Sequence, residues 1–304
     1  MLLILLLLIV NAGLFAQDAV DTNSTSEPLP ILSEFYYRFM PNDTITYRVS
    51  SRDSIIIEYG QPLTKDRYEI YEVVCDSIGK KNKYYYLSYT LKSYIADETF
   101  GKVEKVRRTT SPWINRKINL VIDSVGNRIQ SFSADSNLFA MSPGGAFQPH
   151  LFATFNEVYK VNNESWIVST IDTLAENGVP YPILKQSTLF RAQLPIDTLG
   201  YETYSANFIR TATATVKTIT EDTQILVEAI INLGGTVYLS KKDMIPVIMV
   251  ATAEQKLKIT TPEKEAMPGY HYTSVVYELD QFKPSPLRYA PPVREKKSPK
   301  RKKK

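Results

Sequence analysis

Side chains able to do covalent or metal chemistry are scarce in this chain: two histidines, His150 and His271, and one cysteine, Cys75, among 304 residues. A zinc or copper centre needs three or four such ligands at close spacing, so no metal and no cofactor is expected. Cys75 sits in Glu72-Val73-Val74-Cys75-Asp76 and shares a period-2 face with Tyr71 and Val73, which predicts a buried strand position, not a nucleophile. One cysteine forms no internal disulfide. His150 follows the stretch Ser142-Pro143-Gly144-Gly145-Ala146-Phe147-Gln148-Pro149. The glycine pair has the look of an oxyanion loop, but the Gly-x-Ser-x-Gly elbow it would serve is absent, as are the phosphate loop and the dinucleotide fingerprint. No catalytic residue is assigned, and a non-enzymatic protein is expected. A hydrolase working through two acids stays open as an alternative.

The same irregular stretch holds the candidate ligand residues. Residues 134–163 show neither strand nor helix periodicity, yet Phe147, His150, Phe152 and Phe155 fall within them. Phenylalanine in a loop costs about 1.5–3 kcal/mol per side chain if left in water instead of buried. The segment therefore either joins two β-rich parts or plugs or lids a cavity, and long loops of this kind usually have a role. An apolar small molecule or lipid is the expected ligand.

Charge is divided unevenly. From Lys283 onward there are ten Lys or Arg and one Glu, so this end carries +9 of a chain whose net charge is +4, and the rest is near −5. Lys296, Lys297, Lys300, Arg301, Lys302, Lys303 and Lys304 form the densest part, broken by proline and without apolar residues to build a core. Residues 283–304 read as a disordered basic tail. A nucleic-acid reading fits that charge, but the other end of the chain argues against it. Met1 to Val10 is one apolar run, followed by Asn11-Ala12-Gly13-Leu14-Phe15-Ala16-Gln17. Residues 1–17 read as a signal peptide cut near Ala16 or Gln17, too short to span a bilayer. An uncleaved anchor is the alternative. The expected location is secreted or periplasmic, and the expected partner of the tail is an anionic envelope surface, with no nucleic acid.

The body between these ends must position whatever site exists. It carries 20 Tyr against 12 Phe and 2 Trp, which suits half-buried pleated surfaces. Alternation marks Thr44–Val49, Lys83–Ile95 and Thr211–Thr220 as strands, with Ala212, Ala214 and Val216 on one face of the last. Further strands are expected at 54–59, 68–76, 117–123, 127–132, 165–172, 224–232, 236–240, 245–256 and 270–282. Three turns recur as Asp-[Ser/Thr]-aliphatic-Gly, at Asp76–Gly79, Asp123–Gly126 and Asp197–Gly200. In each, Asp can accept the amide two residues on and Gly can take a positive φ. Short helices are possible only near 135–141 and 173–177. The organisation read from the sequence is a flexible lead-in at 18–31, a β-rich part at 32–133, the irregular 134–163, and a second β-rich part at 164–282.

The stretch from Gly234 through Lys241-Lys242-Asp243-Met244 to Val247 resembles a strand–turn–strand unit of periplasmic half-barrel proteins. That class includes the lipoprotein-localisation carriers and several secreted families. Met244-Ile245 stands where such families often have Gly. The resemblance implies a curved antiparallel sheet with a concave apolar face, in some members holding a lipid or acyl chain. The expected fold is therefore all-β, mainly antiparallel curved sheets of half-barrel or sandwich type. A module whose concave face is filled by its own side chains is the second functional reading.

Overall fold

The computed structural model describes residues 30–79, 84–101, 105–133, 148–173, 183–220, 223–264 and 266–289. Its strands are β1 (Leu32–Glu34), β2 (Thr44–Ile57), β3 (Leu63–Ile78), β4 (Tyr85–Phe100), β5 (Val106–Arg108), β6 (Lys117–Ile122), β7 (Arg128–Ser133), β8 (Tyr159–Val161), β9 (Ser165–Thr173), β10 (Ile183–Ala192), β11 (Ile196–Thr198), β12 (Tyr201–Thr220), β13 (Thr223–Ser240), β14 (Pro246–Thr260) and β15 (Met267–Lys283). The fold is all-β, and no described residue is helical.

Thirteen strands form one antiparallel curved sheet that does not close into a barrel. Its order is β7-β6-β4-β3-β2-β15-β14-β13-β12-β10-β9, with β5 beside β4 and β11 beside β12. The chain starts in the middle, runs outward by hairpins to β7, and reappears at the far edge as β9. It then returns inward until β15 pairs β2 in the register Val276↔Ser50 and Tyr277↔Val49. Strands from both β-rich parts thus lie in a single sheet. The separate pair β1–β8 uses Leu32–Glu34 and Tyr159–Val161.

Alternation sets which face is buried. On β2 the inward set begins Ile45, Tyr47, Val49; on β3 it includes Tyr71, Val73 and Cys75; on β12 it includes Ala212, Ala214 and Val216. Cys75 is buried as the sequence implied, and burial pushes its thiol up to about 12. The two runs expected at 224–232 and 236–240 are one strand, because Gly234 and Gly235 continue the ladder. A Cβ on Gly235 would lie 2.8 Å from the Phe208 ring and 2.1 Å from the Val250 carbonyl oxygen. Glycine there lets Phe208, its register partner, lie across the strand. Two of the three Asp-Gly signatures close tight hairpins. Asp123 accepts the amides of Val125 (3.0 Å) and Asn127 (2.8 Å), and Gly126 has φ +86°. Leu199 and Gly200, both at positive φ, join β11 to β12. At the third, Asp76 to Ile78 still belong to β3, so the strand outlasts the signature.

The apolar part of the inner face is filled by the chain itself. Two segments without ladder partners of their own, Phe35–Phe39 and residues 148–158, bury Phe35, Tyr37, Phe39, Leu151, Ala153 and Phe155 in the main core. Backbone groups buried this way need partners, and tyrosines supply many of them. Tyr85 donates to the Tyr37 carbonyl (3.0 Å), Tyr277 to that of Pro149 (3.0 Å), and Tyr37 to that of Ala153 (3.0 Å). Trp166 Nε1 donates to Phe155 O at 2.8 Å. Three of the 20 tyrosines thus fasten these straps. Their rings also pack: Phe155 lies 5.4 Å from Phe35 and 5.5 Å from Phe190.

Residues 283–289, read from the sequence as the start of a tail, belong to the fold. Lys283 closes β15, and residues 284–289 pack back onto the sheet. Arg288, its side chain 1% exposed, pairs with the fully buried Asp43 and donates to the carbonyls of Asp243 (2.8 Å) and Arg38 (2.6 Å). Ser285 N donates to Asp43 Oδ1 at 2.8 Å. A basic residue that finds a buried carboxylate and two orphan carbonyls is structure, whatever the composition around it. Phe147 and the basic cluster Lys296–Lys304 lie outside the described residues, as do both candidate helices apart from Thr173, which ends β9.

Candidate functional site

Followed along the inward positions, β2 and β3 change character. β2 runs Ile45, Tyr47, Val49, Ser51, Asp53, and β3 runs back Cys75, Val73, Tyr71, Glu69, Arg67. All ten are buried. One end of the inner face is therefore apolar and the other is charged.

Arg67 organises the charged end. Its Nε donates to Asp53 Oδ2 at 2.9 Å, its Nη1 lies 3.3 and 3.5 Å from the two Glu69 oxygens, and its Nη2 donates to Gln148 Oε1 at 3.0 Å. Gln148 Nε2 in turn donates to Tyr277 Oη at 2.9 Å. On β15, His271 bridges two strands, with Nε2 3.0 Å from Asp53 Oδ1 and Nδ1 3.1 Å from Gln255 Oε1 on β14. Buried charges persist only when paired in this way. Burial works against the Arg67 charge, and Glu69 and Asp53 more than offset it. Burial also raises the Asp53 carboxyl, but the His271 hydrogen bond and the Arg67 charge outweigh it and hold the group below its usual range. Glu69 goes the other way: burial dominates over Arg67 and its carboxyl titrates above the ordinary value.

A wall rises beside this floor. A register shift between Ile70 and Tyr71 opposite Leu91 and Ser93 changes the phase of β4. Before it the odd positions Tyr85, Leu87 and Leu91 are buried; beyond it Tyr94, Ala96 and Glu98 share the side of Glu69, Arg67 and Lys65, their register partners. Lys65 pairs with Glu98 at 2.8 Å and lies over the Tyr94 ring at 5.7 Å. Arg108 Nε pairs with Glu98 at 2.7 Å. On its other side β4 is met by β5 along Ala96–Glu98 and by β6 along Tyr85–Thr90, and the chain between them arcs over the gap. That arc carries Trp113. It is anchored where Ile114 bridges Leu91 and Asn115, at φ +60°, donates its amide to Leu91 O at 2.8 Å.

The space between them is an open pocket of about 430 Å³, with Asp53, Arg67, Glu69 and His271 below, Lys65 on β3 beside Tyr94 and Glu98 on β4, and Thr110 to Trp113 opposite. That volume falls within the range of sites for small molecules. Among the described residues no group of three His, Cys, Asp or Glu is placed to hold a metal ion.

Of the residues expected from the sequence, the described ones, His150, Phe152 and Phe155, do not line this pocket. Phe155 is fully buried in the core, and Phe152 is half-buried against Tyr37 and Phe39, with ring centroids at 5.5 and 6.0 Å. Both rings already have partners from this chain. His150 is held well below its ordinary pKa by burial, with Arg128 and Arg210 adding to the shift. The structure thus brings Phe152 and Phe155 together as packing, while the neighbouring Gln148 is what touches the polar floor. The floor residues were missed, although a signal existed in the charges standing at buried phases of β2 and β3.

A scan against protein-family models and a search of the curated proteins return no match. Among solved structures the chain is similar to one described as lipid–protein interactions in lipovitellin, at 9% identity and a TM-score of 0.44. That match covers 82% of this chain and 26% of the other, so the chain spans about a quarter of that protein's length. It is also similar to the loop L8 deletion mutant of OmpT, an outer membrane protein of Vibrio cholerae, at 10% identity and a TM-score of 0.19, over 77% of this chain and 98% of that one.

Proposed function

We propose that this is a non-enzymatic binding protein that works outside the cytoplasm, and that its ligand site is the pocket between the Trp113 arc and the Arg67 floor. The observation that carries the reading is that floor: a buried, mutually paired set of Asp53, Arg67, Glu69 and His271 opening into a cavity of about 430 Å³. Polar side chains fixed by one another before a ligand arrives reduce the ordering cost of binding. Apolar recognition through Phe152 and Phe155 is not favoured, since the chain's own rings occupy that surface. Asp53 and Glu69 both turn to Arg67, an arrangement that fixes the floor in place. The apolar leader at residues 1–17 supports the location, and the basic cluster Lys296–Lys304 is proposed to dock on an anionic envelope surface.

The test is a thermal-shift screen of small polar, anionic and apolar compounds on the wild type and Trp113→Ala. A compound that raises the wild-type melting temperature should lose that effect in the variant. Stabilisation that survives Trp113→Ala places the ligand elsewhere and overturns the site.

A further inference from the structure

We propose, resting on the binding reading above, that the ligand of this pocket is a neutral saccharide. The first argument is charge. Three cations, Lys65, Arg67 and Arg108, face three carboxylates, Asp53, Glu69 and Glu98, across one cavity, and each carboxylate is already matched within 3.3 Å by a cation. An anionic ligand would have to compete with carboxylates for the guanidinium groups, and a cationic one with arginine and lysine for the carboxylates. A polyhydroxyl compound displaces neither, because each hydroxyl donates once and accepts twice. It can bridge Glu98 and its partners Lys65 and Arg108, which stay paired and remain accessible from the pocket, while the more deeply buried Arg67 set holds the floor.

The second argument is the aromatic wall. Tyr94 and Trp113 are each half-buried and both line the cavity. The face of an aromatic ring carries negative quadrupole density, and the axial C–H bonds on one side of a pyranose present weakly positive hydrogens to it. A sugar is a small molecule with an apolar face and a rim of hydroxyls, and this pocket pairs aromatic rings with a floor of planar polar groups. A volume of about 430 Å³ suits one or two hexose units. A fatty acyl chain would leave the charged floor facing hydrocarbon, at a cost for each desolvated polar group.

Isothermal titration at neutral pH tests this with named probes. The neutral set is the methyl glycosides of glucose, galactose, mannose and N-acetylglucosamine with the disaccharides cellobiose and chitobiose. Inorganic phosphate and decanoate serve as the anionic and apolar comparators. The expected result is binding of at least one neutral sugar, unchanged between 20 mM and 500 mM salt (the range proposed for the assay, roughly spanning strong to weak screening). Trp113→Ala and Glu98→Gln should each weaken it by about tenfold or more, with circular dichroism confirming that both variants fold. Binding of phosphate or decanoate alone, lost in the same variants, overturns the saccharide assignment while leaving the pocket as the binding site. Binding of none of the probes, or binding indifferent to both substitutions, overturns the assignment and the pocket together.

Discussion

Replacing Arg67 with methionine should be among the most destabilising single changes available in this protein. The side chain is 4% exposed and holds Asp53, Glu69 and Gln148 at 2.9 to 3.5 Å. Methionine fills most of the volume, so the loss is chiefly electrostatic. Removing one partner of a buried ion pair costs about 3–5 kcal/mol, because the remaining charge stays desolvated. Asp53 keeps His271 as a partner, which sets the expected loss at the lower end, about 3 kcal/mol. Against a total stability of about 5–15 kcal/mol this is a large fraction. The loss should depend on pH. Without the guanidinium both buried carboxyls titrate higher, so near pH 5 the native variant takes up protons and recovers part of the deficit. Urea unfolding at pH 7 and pH 5, with the m value checked for constancy, measures both effects. A loss below about 1 kcal/mol, or one equal at the two pH values, refutes the claim that Arg67 neutralises a buried acid pair.

The other predictions follow from single contacts. Glu69 has a raised folded pKa, so its contribution is fully present below its unfolded value near 4.5 and is lost as pH rises through the folded value. Glu69→Gln removes that loss, and its melting temperature relative to wild type should climb from pH 4 to pH 7; a flat difference contradicts the burial-driven shift. Gly126→Ala places a Cβ 2.1 Å from Ala153 O at φ +86° and should cost well over the roughly 1 kcal/mol expected for Gly200→Ala, which has φ +78° but open space around it. Equal melting of the two variants would mean that the strap carrying Ala153 yields freely. Truncation after Phe282 should lower the melting temperature by several degrees, since it strips Arg288 from the buried Asp43. An unchanged melt would show that residues 283–289 contribute nothing to the fold.

Much of the fold was legible because strands with one buried face write their pairing into a period of two. Thr211–Thr220 and Tyr85–Leu91 needed no tertiary information. What could not be read was where that period slips. The phase change on β4 comes with a register shift opposite Ile70 and Tyr71, beyond which Tyr94 and Glu98 stand on the inner side. Gly234-Gly235 misled in the opposite direction. A glycine pair ordinarily signals a break, yet here it admits the Phe208 ring across an unbroken strand. The aromatic loop drew attention because Phe147, Phe152 and Phe155 had no visible partners in sequence. Residues 148–155 do pack on apolar surface, but the rings that meet Phe152 and Phe155 come from Phe35, Tyr37, Phe39 and Phe190, all distant from them in the chain. The charged floor was readable in principle: Asp53, Arg67 and Glu69 occupy the inward phase of strands whose other inward residues are mostly apolar, and a charge there needs either a partner or a purpose.

The most direct test of the pocket is a crystal structure of the protein with the tightest-binding compound of the titration series at saturating concentration. Density between the Trp113 side chain and the Arg67–Glu69 floor, with the Phe152 and Phe155 rings unmoved, is the predicted result. Density seated instead against residues 148–155, with the Trp113 pocket empty, would contradict the account.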